Sequence, residues 1–195
     1  GLIRPTSGHI RINGVDITSM ERTECYKLFS TVFQDLHIFP VSIKDNIVWD
    51  GQVDEAYFAQ CLEQADLAEL VSSLKEKENT KLVQELEECA VNLSGGQSQK
   101  LLLARALYKQ SKIILADEPT SGLDATNAKL IEDILVNSKQ MVINITHNLD
   151  KEVLQRYDEI ICMQNGKISG IGDYETLYSQ NMYFRGLCED FKSEI

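Results

Sequence analysis

The sequence predicts an α/β fold in which a parallel sheet carries an inserted helical segment. Two apolar runs with little alternation, "IILA" (Ile113 to Ala116) and "MVINI" (Met141 to Ile145), are typical of strands that are covered on both faces. A helical pattern from Asp124 to Ser138 separates them, which makes a β-α-β unit with an expected right-handed connection. From about Ile43 to Tyr108 the apolar residues have helical spacing, so we expect a helical subdomain there.

Each end of the chain contains a hairpin signal. Asn13-Gly14 and Asn165-Gly166 both lie between short apolar segments, and Asn-Gly suits the positive backbone angles of a tight turn. The sequence therefore predicts a small antiparallel portion beside the parallel core.

Composition excludes several classes of protein. With 195 residues and 43% hydrophobic content, the chain can bury a sizeable core. The net charge of −11 repels a phosphate backbone, so no nucleic-acid partner is expected. The five cysteines form no CxxC pair, and neither a zinc site nor a disulfide framework is predicted.

A helix begins after the sequence Ser94-Gly95-Gly96-Gln97. Ser94 and Gln97 can form a capping box, which is the local interpretation of this pattern. The two glycines are poor helix formers, but they let a ligand approach bare amides at the positive end of the helix dipole. This pattern favours an anion, and in particular a phosphate.

Two carboxylates end a buried strand. Asp117 and Glu118 close the run "IILADE", and Pro119 helps to terminate strand pairing. Strand-end acids in an α/β sheet lie at the edge where ligands bind, although an acid that caps a turn is the alternative. One acid suits Mg²⁺, usually through water, and the other suits proton transfer from an attacking water.

These motifs resemble the nucleotide-binding domain of ATP-binding cassette (ABC) transporters. "LSGGQSQKLLLARAL" is similar to the signature motif, and "IILADEPTSGLD" is similar to the Walker B strand and D-loop. "TVFQD" resembles the Q-loop, "NITHN" the H-loop, and "IFPVSIKDNI" the segment after the Q-loop in exporters. The resemblance extends over the whole chain and implies a P-loop NTPase-type (ABC ATPase) fold, ATP and Mg²⁺ as ligands, and ATP hydrolysis coupled to export.

The resemblance also implies a role for each site residue. Asp117 would organise Mg²⁺, Glu118 would be the general base, and His147 would contact the γ-phosphate. Gln34 would sense Mg²⁺ and the attacking water and relay the nucleotide state to the membrane domains. A buried, hydrogen-bonded histidine and a polar loop residue are the alternatives for His147 and Gln34.

Other roles lie between chains. The signature residues Ser94, Gly95, Gly96 and Gln97 would close over ATP that a second nucleotide-binding domain holds. Asp124 would cross that interface, while it also suits the N-cap of its own helix. The implied partners are thus a second cassette and the transmembrane domains, with the chain at the cytoplasmic face of the membrane. Whether the pair is a homodimer or a heterodimer, and which substrate is carried, stays open.

The phosphate-binding loop G-x-x-x-x-G-K-[ST] is absent from these 195 residues. In the family "GLIRPTSGHI" follows the helix that leaves this Walker A loop, so we expect an N-terminally truncated domain. Alone it is expected to bind ATP poorly, to lack turnover, and to have low stability or to self-associate. A smaller departure is Glu88 followed by Cys89 and Ala90, where exporters usually have Glu-x-Gly.

The expected layout is one incomplete domain over residues 1–195. Residues 1–42 and 109–195 would form the α/β core, and residues 43–108 would form the helical subdomain with the signature motif. Two alternatives remain: a non-transport ABC ATPase of DNA repair, chromosome structure or translation, and a degenerate cassette with a regulatory role. The acidic charge and "IFPVSIKDNI" disfavour the first, and the presence of Gln34, Glu118 and His147 disfavours the second.

Overall fold

The computed structural model describes residues 3–33, 37–49, 52–83 and 90–194. The chain divides into two compact units, a first unit of Gly1–Asn144 and a second unit of Ile145–Ile195. Gln34 and Glu88 lie outside the described residues. The proposed layout of core and helical subdomain stays a prediction.

The first unit opens with the predicted hairpin. β1 (Arg11–Ile12) and β2 (Val15–Asp16) pair antiparallel. Asn13 and Gly14 have φ angles of 49° and 81°, the two positive values that a two-residue turn of this kind requires. A single 3₁₀ turn, Ile17–Ser19, and helix α1 (Arg22–Lys27) follow. The Asn-Gly prediction is confirmed here.

Three central strands form the main sheet. β3 (Phe29–Val32), β4 (Ile113–Asp117) and β5 (Met141–Ile145) lie in the order β3-β4-β5. β3 and β4 run parallel, with Phe29 opposite Ile113. Helix α6 (Ala125–Val136) connects β4 to β5, as predicted. The α/β class with a parallel sheet is confirmed.

Four further α-helices belong to the part of the first unit that the structure describes. They are α2 (Ile43–Ile47), α3 (Glu55–Gln64), α4 (Ala68–Ser73) and α5 (Gly95–Tyr108). Helix α5 contributes to two apolar clusters, because its buried residues are distributed widely around the helix. Leu101 and Ala104 pack with the short helices, and Leu103, Ala106 and Leu107 pack with strands β3 and β4. This double burial fixes the orientation of α5, and with it the position of Ser94–Gln97.

One strand differs from its prediction. β4 is buried over most of its length, but β5 alternates between exposed and half-buried residues. Met141, Ile143 and Ile145 are exposed, so the expectation that both faces of β5 are covered was wrong. The physical reason is the alternation of side chains along a strand: Val142 packs against the apolar cluster of the first unit, while Met141, Ile143 and Ile145 belong to the opposite face, which is exposed.

The second unit contains a hairpin and three helices. These are α7 (Lys151–Leu154), β6 (Ile160–Gln164), β7 (Lys167–Gly172), α8 (Tyr174–Gln180) and α9 (Met182–Glu194). Asn165 and Gly166 have φ angles of 49° and 74°, which confirms the second predicted turn. Six buried residues form its core: Leu154, Cys162, Tyr174, Leu177, Phe184 and Cys188. In the part of the chain that the structure describes, no helix is long and apolar enough to cross a membrane.

Candidate functional site

Helix α5 begins with the predicted capping box. Ser94 has an extended backbone, and its Oγ accepts a hydrogen bond of 3.3 Å from the Gln97 amide. Gln97 Oε1 accepts in return from the Ser94 amide at 3.0 Å. This reciprocal pair fixes the chain direction at the start of the helix, because it satisfies two donors that the helix itself cannot.

The capping box leaves the amides of Gly95 and Gly96 at the tip of the helix. Neither amide has a partner within the helix, since the first N–H groups point beyond its end. A Cβ on Gly95 would meet nothing within 4 Å, so the approach to this turn is open. The first turn of α5 thus has the geometry and the dipole that favour an anion.

Asn127 joins the start of α5 to the start of α6. A Cβ built on Gly96 would lie 3.0 Å from Asn127 Nδ2. The same amide nitrogen donates to Oδ2 of Asp124, and the Asn127 backbone amide donates to Asp124 Oδ1 at 3.0 Å. Asp124 is the N-cap of α6, as predicted. Signature and D-loop residues of one chain are therefore in contact through a single side chain.

The two strand-end carboxylates have different environments. Asp117 is the last residue of β4 and is exposed, whereas Glu118 is half-buried and is followed by the fully buried Pro119. Glu118 has a φ of 46°, in the left-handed region that glutamate rarely adopts. Strain of this kind costs on the order of 1–3 kcal/mol and concentrates at functional sites.

A tight turn connects Glu118 to Asp124. The Ser121 amide donates to the Glu118 carbonyl at 3.1 Å, and the Leu123 amide donates to the Thr120 carbonyl at 3.3 Å. The turn places the second carboxylate and the cap of α6 at its two ends. The side-chain and main-chain hydrogen bonds to Asp124, the Asn127 amide first, lower the pKa of this carboxyl below its ordinary value. Asp124 is consequently an anion under ordinary conditions.

His147 belongs to the second unit. It is exposed and lies between β5 and α7. The Asn148 amide donates to Thr146 Oγ1 at 2.9 Å, and the Asp150 amide donates to Asn148 Oδ1 at 3.0 Å, so two local turns fix the backbone on both sides of the histidine. The alternative interpretation of His147 as a buried, hydrogen-bonded histidine is wrong, because this residue is exposed.

The donor set can be tested against the two ligands that the sequence implies. Within the described ranges, no group of three or more His, Cys, Asp or Glu side chains forms a closed metal cage. Mg²⁺ in phosphate sites does not need one, because it binds one or two carboxylates together with waters and substrate phosphates. Exposed Asp117 fits that requirement, and the open turn at Gly95 fits a phosphate.

Sequence reasoning missed Asn127, and it missed Arg105 on α5. Asn127 carries no motif signal, since its importance depends on the packing of α6 against Gly96. Arg105 lies in the quoted run "LLLARAL", and a cation within an apolar stretch is the signal that could have identified it.

Known proteins are similar to this chain over most of its length. The ABC transporter family model matches residues 1–121. The chain is 32% identical to the heterocyst differentiation ATP-binding protein HepA of a Nostoc species over 179 residues, 90% of this chain and 28% of HepA. It is 33% identical to the lactococcin-A transport/processing ATP-binding protein LcnC of Lactococcus lactis over 184 residues, 94% of this chain and 25% of LcnC.

A solved structure is similar as well. A bacterial Atm1-family ABC exporter with ATP bound superimposes with a TM-score of 0.84 at 26% identity, covering 96% of this chain and 32% of that chain. The parallel sheet with its helices is thus an α/β fold of the P-loop NTPase type. The chain belongs to the ABC transporter family, and it spans about a quarter to a third of the length of HepA, LcnC and the Atm1-family exporter.

Proposed function

We propose that this chain is the ATP-binding and ATP-hydrolysing domain of an ABC exporter and works at the cytoplasmic face of a membrane. The observation that carries the proposal is the open first turn of α5, held beside the D-loop aspartate by Asn127 in a member of this family. The amides at the helix tip suit the negative phosphates of a nucleotide, and the neighbouring carboxylate of Asp124 suits donors of a second protein chain.

The strand-end acids divide the chemistry. Asp117 would hold Mg²⁺, which when bound neutralises charge on the nucleotide phosphates. Glu118 accepts the proton of the attacking water as general base, and its left-handed backbone is a strained conformation of the kind that concentrates at functional sites. His147 would hold the γ-phosphate, and Gln34 would report Mg²⁺ and the attacking water to the membrane domains.

A second nucleotide-binding domain completes the site. Ser94, Gly95, Gly96 and Gln97 would donate to the phosphates of an ATP that the partner cassette binds, and Asp124 would cross the same interface. The exposed position of the α5 tip supports this arrangement, since donors that serve another chain must face outward.

The membrane domains would dock on an exposed aromatic pair in the first unit. The rings of Phe39 and Trp49 form an edge-to-face pair with centroids 4.7 Å apart, and the two residues are 38% and 61% exposed. Exposed aromatic residues of this kind mark interaction sites. This chain covers 32% of the Atm1-family exporter. The proposed partner is the membrane domain, which would belong to the remaining length of such an exporter.

The decisive experiment uses a transporter in which these 195 residues are joined to a phosphate-binding loop, together with a second cassette and the membrane domains. Glu118→Gln should trap an ATP-bound, paired state, because the base is lost while the phosphate donors remain. Turnover that persists at the wild-type rate would exclude Glu118 as the base.

The 195-residue chain by itself should not hydrolyse ATP. It contains no phosphate-binding loop, so the lysine and amides that hold the β- and γ-phosphates are absent. A phosphate-release assay on the purified chain should remain at background. Ordinary turnover there would show that hydrolysis does not need this loop and would contradict the prediction.

A further inference from the structure

Arg105 lies under the exposed aromatic pair. Its Cζ is 5.4 Å from the centre of the Phe39 ring and 5.7 Å from the centre of the Trp49 ring. Both distances are within the range in which a guanidinium is attracted to an aromatic face. One cation therefore holds both rings of the pair, and this cation belongs to helix α5.

Hydrogen bonds fix the guanidinium in place. Its Nε donates to the Asn46 carbonyl at 2.6 Å, Nη2 donates to Asn46 Oδ1 at 2.8 Å, and Nη1 donates to the His37 carbonyl at 3.1 Å. The planar fork of arginine can reach these acceptors together, whereas the single ammonium of lysine cannot. Replacement of this arginine by lysine therefore keeps the positive charge but loses most of these hydrogen bonds.

Asn46 extends the same network to the aromatic pair. Asn46 is fully buried, its Nδ2 donates to the Phe39 carbonyl at 3.0 Å, and its Oδ1 accepts from the Phe39 amide at 3.0 Å. The loop that carries Phe39 is thus bonded to Asn46, and Asn46 is bonded to Arg105. The described side-chain hydrogen bonds of the Phe39 main chain thus lead to Asn46 on α2, and through Asn46 to Arg105 on α5.

The charge of Arg105 has no counter-ion among the described residues, where carbonyl and amide oxygens are its acceptors. Burial lowers the pKa of Arg105 to about 10. The described hydrogen bonds and ring contacts of Arg105 all lead to residues 37–49, the segment that carries the two rings. Its geometry is better explained by the placement of the two rings.

We infer that Arg105 is a positioning residue that joins the Phe39–Trp49 pair to the helix whose first turn carries Ser94–Gln97. The inference rests on the proposed function, and it assigns to one side chain the connection between the docking surface and the nucleotide-facing turn. Arg105 contacts neither ATP nor the membrane domain in this scheme. It acts by keeping the docking rings and α5 in one rigid body.

The first test uses Trp49 as the reporter, since it is the only tryptophan of the chain. Arg105→Lys should raise the acrylamide quenching constant of Trp49 about two-fold and lower its fluorescence anisotropy. The substitution removes both the guanidinium contact with the two rings and the hydrogen bonds of the guanidinium to His37 and Asn46. Arg185→Lys is the matched control. Arg185 also lies over an aromatic ring, Tyr178, and also donates to main-chain carbonyls, but it belongs to the second unit.

The second test uses the assembled transporter reconstituted into sealed proteoliposomes, in which transported substrate and hydrolysed ATP are both measured. Arg105→Lys should lower the amount of substrate transported per ATP hydrolysed about five-fold, a typical size for a coupling effect. A purely structural role would lower transport and hydrolysis in proportion and leave the ratio unchanged. Arg105→Gln, which keeps a planar amide but no charge, should show the same loss of ratio and serves as the second variant.

The outcomes separate the inference from the proposed function. A wild-type assembly without ATP turnover would refute the proposed function, and the quenching experiment would still decide the packing role of Arg105. Unchanged Trp49 quenching in both Arg105 variants overturns the inference. So does an unchanged transport-to-hydrolysis ratio in a wild-type assembly that works normally.

Discussion

The side-chain amide of Asn127 lies against Gly96, 3.0 Å from where a Cβ on that glycine would be. The same amide is hydrogen-bonded to Asp124. A second glycine, Gly95, precedes Gly96 and has open space at its Cβ position. The two glycines of the signature are therefore different: Gly96 is constrained by its own chain, and Gly95 is open toward the exterior.

We expect the two glycines to respond differently to alanine. Gly95→Ala should raise the free energy of unfolding by up to about 1 kcal/mol, since alanine is the better helix former. The free energy of unfolding of Gly96→Ala should be about 1 kcal/mol lower than that of Gly95→Ala, because the new Cβ displaces Asn127 from Asp124. Urea unfolding of the two variants measures the difference.

Asn127→Ala supplies the control for this prediction. In its background, Gly96→Ala should be as stable as Gly95→Ala, because the obstructing amide is gone. If the difference between the two alanine variants persists without Asn127, the contact is not its cause.

The left-handed backbone of Glu118 predicts a conflict between stability and activity. Glu118→Asn should unfold at the same or a higher temperature than wild type, because asparagine tolerates a positive φ. Glu118→Val should be destabilised by roughly 1–2 kcal/mol, since a β-branched residue is strained there. Both variants should lose turnover in the assembled transporter.

Thermal unfolding of the two variants side by side checks this assignment. Equal melting temperatures for Glu118→Asn and Glu118→Val would show that the φ of 46° carries no strain.

Asp16 predicts an acid-dependent loss of stability. Hydrogen bonds from the Thr18 side chain, the Thr18 amide and His9 hold the pKa of Asp16 at about 2, below its ordinary 3.8. Because the folded-state pKa is lowered, the carboxylate stabilises the fold above pH ~4, and this contribution disappears as the pH falls toward 2. Wild type should accordingly lose more stability than Asp16→Asn over this interval.

Thr18→Val tests the cause of that shift. It removes the largest contribution, so NMR titration should give Asp16 a higher pKa than in wild type. An unchanged titration of Asp16 would refute the role of the hydroxyl.

Exposed apolar strands predict self-association of the chain. Ile143 on β5, and Ile161 and Met163 on β6, are exposed, with Met163 at 58%. Outer strands with apolar side chains favour pairing with other chains. We expect size-exclusion chromatography to show oligomers, and Ile143→Lys with Met163→Lys to shift the chain toward monomer.

Gln164→Lys is the matched control, since it adds the same charge to an exposed polar position of β6. It should leave the oligomers unchanged. A stable, monodisperse wild-type monomer would contradict the prediction.

Local chemistry explains what the sequence could predict. Both Asn-Gly hairpins, the capping box of Ser94 and Gln97, and the Asp124 cap depend on residues within a few positions of each other. The buried run of β4 is similarly recognisable from its own composition. The strand-end position of Asp117 follows from the same run.

Long-range packing explains what the sequence could not predict. The left-handed conformation of Glu118 has no signal in its neighbours, and Asn127 meets Gly96 only after α6 packs on α5. Arg105 and Asn46 are joined across separate helices. The exposed face of β5 likewise depends on which strands and layers surround it, and not on its composition.

The pairing of Phe29 with Ile113 has a kinetic consequence. The hairpins near Gly14 and Gly166 close between adjacent residues and should form within about 1–10 μs, whereas the central parallel pair must first close a long loop. Refolding should therefore begin at both termini, with the middle of the molecule setting the overall rate. Pulse-labelled exchange that found Thr31 protected before Ile12 would reverse this order.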